Sequence, residues 1–249
     1  DHTDVKGVNH VWDKFNSFKE YDIFTKNWLR QAKRILKPNG TIWVIGSYHN
    51  IYRVGTIIQD LGFWILNDII WNKSNPMPNF KGNRFTNAHE TLIWASHNKN
   101  SKYTFNYQSM KTMNEDKQMR SDWFLPICSG NERLKMSGKT LHPTQKPEAL
   151  LHRIILSSTN IEDTILDPFF GTGSTGAVSK KLKRKFIGIE NNIDYMNFAK
   201  DRISKVIPLS DNALQTIQNN KNERKIPFCS LIDNGMLKIG TKLHDINKK

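Results

Sequence analysis

The run Asp167-Pro168-Phe169-Phe170-Gly171-Thr172-Gly173-Ser174-Thr175-Gly176 carries the clearest chemistry in the chain. A short apolar strand, Thr164 to Leu166, leads into it, and a helical stretch, Thr175 to Leu182, leads out. The next strand, Phe186 to Ile189, ends on an acid, Glu190. Gly171, Gly173 and Gly176 satisfy G-x-G-x-x-G, a spacing that lets a ligand approach backbone, with an acid one strand later for a ribose diol. Asp167 separates the cofactors that could sit there. A carboxylate at the tip of the first strand repels a pyrophosphate at short range. S-adenosylmethionine has no phosphate and carries an ammonium that a carboxylate can hold, so the loop suits it better than NAD. On the glycines alone, an NAD site or a turn used only for packing remains open.

These residues need strands and helices to aim them. Phe24 to Leu36 has apolar residues at helical spacing and is stopped by Lys37-Pro38-Asn39-Gly40. Thr41 to Gly46 reads as a strand, Asn50 to Leu61 as a helix, and Phe63 to Trp71 and Glu90 to Ala95 as strands. Pro147 to Ser158 is a helix with proline at its first turn, and Ile193 to Val206 another. The alternation predicts a mostly parallel sheet with helices on both faces. At least three strands precede the glycine loop, so the cofactor half follows the other half in a permuted order. Asn72 to Phe85 is a long loop of Asn, Pro, Gly and cations, the kind that carries function more often than it idles. Residues 208–225 read as a polar linker, and 226–249 as the start of a small second unit.

The chain has 249 residues, with 37 Lys and Arg against 23 Asp and Glu, a net charge of +14. Such a surplus favours a polyanion, because each cation placed on a phosphate releases a counterion. Trp71 to Thr140 holds 11 basic and 5 acidic residues, and Lys200 to Lys249 holds 10 and 5. Lys180, Lys181, Lys183, Arg184 and Lys185 crowd a helix end, where they also suit the helix dipole. Two cysteines without a CxxC pair exclude a disulfide scaffold and a structural zinc site, and no metal site is expected. No apolar run approaches the roughly 18 residues of a membrane span, and the first ten residues are polar. A reducing cytoplasm fits best.

Five stretches in order carry a family likeness: TIWVIGSYHNIYRVG from Thr41, LNDIIWNKSNPMPNF from Leu66, RFTNAHETLIWAS from Arg84, HPTQKPEALL from His142 and DPFFGTGSTGAV from Asp167. With them the chain resembles the β-class DNA amino-methyltransferases. It looks most like the adenine enzymes that modify GANTC, including the cell-cycle-regulated ones of alphaproteobacteria. The likeness runs from about Trp12 to Arg202 and implies a Rossmann-like class I methyltransferase sheet using S-adenosylmethionine. It implies that Asp167, Phe169, Gly171 and Gly173, with Ser174 and Thr175 beside them, line the cofactor site, and that Glu190 binds the ribose. Thr144, Gln145 and Lys146 of the HPTQKP segment would lie at the methionine end. In residues 71–141, a target-recognition region, the loop from Asn75 to Phe85 would face double-stranded DNA. Lys73, Lys81 and Arg84 would hold phosphates, and Asn75, Asn79 or Asn83 would reach base edges. Residues 142–207 would form the cofactor half, within a methyltransferase domain spanning 1–207, and a homodimer is the assembly implied.

One departure stands against these agreements. The family's Asp-Pro-Pro-Tyr tetrad holds and stacks the flipped target base, and no such tetrad occurs in the chain. The expectation is that the tetrad and N-terminal strand lie upstream of Asp1 and that the C-terminal unit is partial, so no residue here is assigned a catalytic role. The absence of an initiator Met points the same way. Site-specific transfer to the exocyclic amine of adenine is the leading function. Cytosine amino-methylation and a non-catalytic remnant that binds DNA or cofactor are the alternatives.

Overall fold

The computed structural model describes residues 15–136, 139–140 and 144–219. His142 and the small unit expected over 226–249 lie outside the described residues.

The chain opens with helix α1, Phe18–Ile35. Ser17 caps it by accepting the Glu20 N–H at 3.1 Å, and Glu20 returns a carboxylate oxygen to the Asn16 N–H at 2.9 Å. Strand β1 (Thr41–Gly46), helix α2 (Ile51–Asp60) and strand β2 (Trp64–Lys73) follow, and β3 (His89–Ser96) turns back. Helix α3 (Tyr107–Thr112) and strand β4 (Asp122–Leu125) come next, then two-residue strands β5 (Lys135–Met136) and β6 (Lys139–Thr140). Helix α4 (Glu148–Ser158), strand β7 (Thr164–Asp167), helix α5 (Ser174–Lys181), strand β8 (Lys185–Gly188) and helix α6 (Ile193–Ser204) form the second half.

Four strands make one sheet in the order β1-β3-β2-β4, and β7 pairs β8 in a second. The expectation of a mostly parallel sheet is corrected here. β3 is inserted between β1 and β2 and is antiparallel to both; β2 with β4 and β7 with β8 are the parallel pairs. The reason lies in the connections: no helix joins β2 to β3, and a parallel return needs a covering crossover. The broader expectation holds, an α/β fold with helices on both faces and the glycine loop late in the chain.

Alternation on β3 splits the core. Leu92 and Trp94 face α4, α5 and a seventh helix, through Leu150, Ile154, Leu156, Val178, Leu182 and Leu214, while Ile93 and Ala95 face Leu29 of α1 and Ile51, Val54 and Ile58 of α2. Register sets Trp43 opposite Trp94, and their rings stack at 5.2 Å. The seventh helix, α7 (Asp211–Asn219), falls where a linker was expected. Its Leu214 is fully buried in the first core. A polar sequence with one apolar residue per turn reads as a linker, yet one well-placed leucine docks it.

Candidate functional site

β1, β2 and β4 run in one direction, so the loops after them leave the same edge of the sheet. The glycine loop follows β7, at the carboxyl end of a separate parallel pair with β8. Trp28 of α1 meets the Phe169 ring edge-on at 5.4 Å, and Phe24 lies at 6.4 Å. Carboxyl edges of parallel strands are where α/β folds gather ligands.

The loop turns on left-handed glycines. Gly171 and Gly173 have φ of +52° and +74°, values that side-chain-bearing residues adopt at a cost. Gly173 also packs on α6, where an added Cβ would stand 2.7 Å from the Ala199 Cβ. Gly176 is a packing glycine, with the Phe170 ring 2.6 Å from where its Cβ would be. Thus the packing reading is right for Gly176, while the left-handed turns at Gly171 and Gly173 shape the opening.

Two carboxylates border it. Asp167 accepts the Phe169 N–H at 3.0 Å on one oxygen and the Thr175 hydroxyl at 2.6 Å on the other. Glu190 accepts the Gly171 N–H at 2.8 Å and the Asn192 N–H at 2.9 Å. Each oxygen retains acceptor capacity, so both acids are oriented without being used up. Thr175 is therefore a positioning group for Asp167. Ser174 is buried and accepts from Arg202 at 2.7 Å, which turns its hydroxyl to the scaffold. Burial, and then the Glu190 charge, push the Tyr195 phenol up, which places that ring near the same acid.

The HPTQKP segment reaches this loop through a residue that sequence reasoning passed over. Arg202 on α6 spans from the Ser174 hydroxyl to Glu148 at 2.6 Å, the first residue of α4. Thr144 is exposed. Gln145 is buried and bridges inward instead, accepting the Leu134 N–H at 3.1 Å and donating to the Glu132 carbonyl at 2.8 Å. Each end of its amide makes one bond to residues 132–134, so the side chain is held in place there. Lys146 donates to Glu90 at 2.7 Å.

Glu90 carries a second lysine. Lys73 lies 3.0 Å from its other oxygen, and both ammoniums sit near the Trp71 face, at 5.7 Å and 5.8 Å. Burial pushes the Glu90 carboxyl up, and the two ammoniums more than reverse this, holding it below the usual glutamate range. The triad ties the end of β2, the start of β3 and the segment before α4 into one knot. Lys73, whose side chain is 11% exposed, pairs with Glu90 in this structure. Nothing in the local sequence reveals the knot, because it depends on the register that sets Trp71 opposite Glu90.

The loop over residues 74–88 is exposed along most of its length. Asn75 accepts the Ile127 N–H at 2.8 Å, a structural duty. Asn79 braces the turn: its side-chain oxygen accepts the Lys81 N–H at 3.3 Å, and its amide donates to the Arg84 carbonyl at 2.7 Å and to Asn83 at 3.3 Å. Arg84 donates to the Tyr48 hydroxyl at 2.6 Å, latching the loop to the turn after β1. Lys81, Asn83 and Arg84 stay open to solvent. The basic run behind α5 is mostly structural. Arg184 is buried and donates to the carbonyls of Leu182 and Thr159 at 2.6 Å and 2.7 Å, Lys180 caps α6 at the Ile203 carbonyl, and Lys183 and Lys185 pair Asp211 and Glu162. Burial pushes the Cys128 thiol up to about 11, which removes it as a nucleophile. Among the described residues no cluster of His, Cys, Asp or Glu could hold a metal, and no helix is long and apolar enough to cross a membrane.

The chain is similar to known proteins in sequence and in shape. The chain is 52% identical over 246 residues to the Type II methyltransferase M.HinfI of Haemophilus influenzae, covering 98% of this chain and 68% of that protein. It is 51% identical over 195 residues to M2.LlaDCHI of Lactococcus lactis subsp. cremoris, covering 78% and 71%. The solved complex of M1.HpyAVI with S-adenosylmethionine superposes with a TM-score of 0.60 at 31% identity, over 73% of this chain and 83% of that one. The cytosine-N4-specific PvuII methyltransferase shares the fold, with a TM-score of 0.65 at 22% identity over 81% and 76%. A family model described as DNA methylase, for N6 and N4 amino-methyltransferases, matches residues 5–201, and the chain belongs to that family.

Proposed function

We propose that the chain transfers a methyl group from S-adenosylmethionine to the exocyclic amine of adenine in double-stranded DNA, within GANTC. The observation that carries the reading is the arrangement of Asp167, the left-handed Gly171 and Gly173, and Glu190, with Glu190 joined to the loop through the Gly171 N–H. These residues fit the cofactor. Asp167 matches an ammonium and would repel a pyrophosphate, and Glu190 has lone pairs left for a ribose diol. When bound, the cofactor supplies a methyl group on a sulfonium, which an amine attacks directly. The protein's residues do the holding: Asp167 and Glu190 fix the two polar ends, and Arg202 keeps the Ser174 and Glu148 helix starts in register.

In this reading residues 71–141 face DNA and 142–207 hold the cofactor. Lys81 and Arg84 hold phosphates and Asn83 reaches a base edge. The chain contains no Asp-Pro-Pro-Tyr sequence, so the acceptors for the target amine are assigned to none of its residues. Adenine is favoured by the likeness of the five sequence stretches to GANTC enzymes. Cytosine is the second reading, since a cytosine-N4-specific enzyme has the same fold. The test is transfer of labelled methyl to a duplex with one GANTC site, followed by chromatography of the hydrolysed nucleosides. Label in N6-methyladenine, lost when the outer bases of the site are exchanged, supports the proposal. Label in N4-methylcytosine, or none in either, refutes it.

A further inference from the structure

The loop over residues 74–88 carries two phenylalanines that the protein does not cover. Phe80 is 85% exposed and Phe85 is 98% exposed. A ring held in water gains nothing for the fold, and in a braced segment it stands ready to meet a partner. Phe80 is the better mounted of the two. It occupies the first corner of the turn closed by the Gly82 N–H on the Asn79 carbonyl at 3.1 Å, and the Asn79 side chain ties that turn to residues 81, 83 and 84. Space around Gly82 is open, so the corner projects freely. The returning limb is latched by Arg84 to Tyr48. Both roots of the loop are fastened, at Lys73 and Glu90, to the knot that includes Lys146.

The surroundings of the ring identify its partner. Residues 74–88 contain Lys81 and Arg84 and no acid, so an apolar tip stands on cationic shoulders. A polyanion with apolar layers inside it matches that pattern, and duplex DNA is such a partner. Cations take the phosphates while an apolar wedge enters between base steps. An enzyme that extrudes a base must also fill or tolerate the space it leaves.

We propose that Phe80 is the wedge that enters the DNA base stack and fills the space of the extruded target base. The proposal rests on the DNA reading given above. It adds a positioning residue, which acts on the neighbouring bases and touches neither the cofactor nor the amine. Its mark is a preference for DNA that is already open, because a wedge spends part of its binding energy on unstacking.

The experiment compares dissociation constants for two duplexes at one salt concentration, one with an intact GANTC site and one with an abasic position in place of the target adenosine. The unsubstituted protein should prefer the abasic duplex by about tenfold or more. Phe80→Ala should bring that ratio within about twofold of unity, Phe80→Tyr should restore it, and Phe85→Ala should leave it unchanged. As Phe80 is exposed, the fold survives its replacement, and a thermal melt checks this. A Phe80→Ala protein that keeps the preference, or loses affinity equally for both duplexes, overturns the wedge and leaves the DNA reading standing. An unsubstituted protein that binds neither duplex overturns both.

Discussion

Replacing Glu90 by Gln removes the only anion between two ammoniums, 3.0 Å and 2.7 Å away. At an effective dielectric of about 20, each contact has a gross attraction of about 5–6 kcal/mol. Most of this is offset by the desolvation of three charges, and Lys146, 30% exposed, can turn toward water once released. Lys73, 11% exposed, has less freedom. Breaking a buried pair by deleting one partner typically costs about 3–5 kcal/mol, and the lower end applies here. For a domain of this size, a loss of about 3 kcal/mol lowers Tm by about 6–12 °C. The assay is urea and thermal unfolding of the parent and Glu90→Gln proteins across pH. The Glu90 pKa is depressed in the folded state, so its stabilisation is complete above the ordinary glutamate range and is lost as pH falls through the folded value. The gap between the two proteins should be widest near neutral pH and close in acid. A loss under about 0.5 kcal/mol at pH 7, or a gap that does not change with pH, would refute the view that the triad holds the two halves of the edge together.

Gly173→Ala introduces a side chain at φ +74°, 2.7 Å from the Ala199 Cβ. Left-handed strain and overpacking together should cost about 2–4 kcal/mol, read as a lower urea midpoint. Gly82→Ala, at φ +62° in open space, should show only the strain. Arg202→Met keeps much of the side chain's bulk and removes its bonds to Ser174 and Glu148. Displaced helix starts should weaken S-adenosylmethionine binding about tenfold, measured by calorimetry, and an unchanged affinity would show that the bridge does not shape the opening.

Much of the site was legible because its signals are local. The strand, glycine turn, helix and Glu190 sit within one stretch, and strand β1 matches its sequence reading residue for residue. Where the reading went astray, the deciding contact was distant or a weak signal was overlooked. Helix α1 starts six residues before its expected start at Phe24, although Ser17 and Glu20 have capping-box spacing. The antiparallel β3 follows from a long polar connection with no crossover helix. The intramolecular partners of Lys73, Gln145 and Asn79, which are Glu90, residues 132–134 and the loop itself, were not legible locally either. Phe80 drew no attention in the sequence because a phenylalanine there looks like ordinary core material until its exposure is seen.

Calorimetric titration of S-adenosylmethionine and of NAD into the protein, and into Glu190→Ala, tests the central claim most directly. The account predicts one S-adenosylmethionine per chain, no heat from NAD, and an affinity at least about tenfold weaker without the Glu190 carboxylate. NAD binding as tightly as S-adenosylmethionine, or an affinity for S-adenosylmethionine indifferent to Glu190, would contradict it.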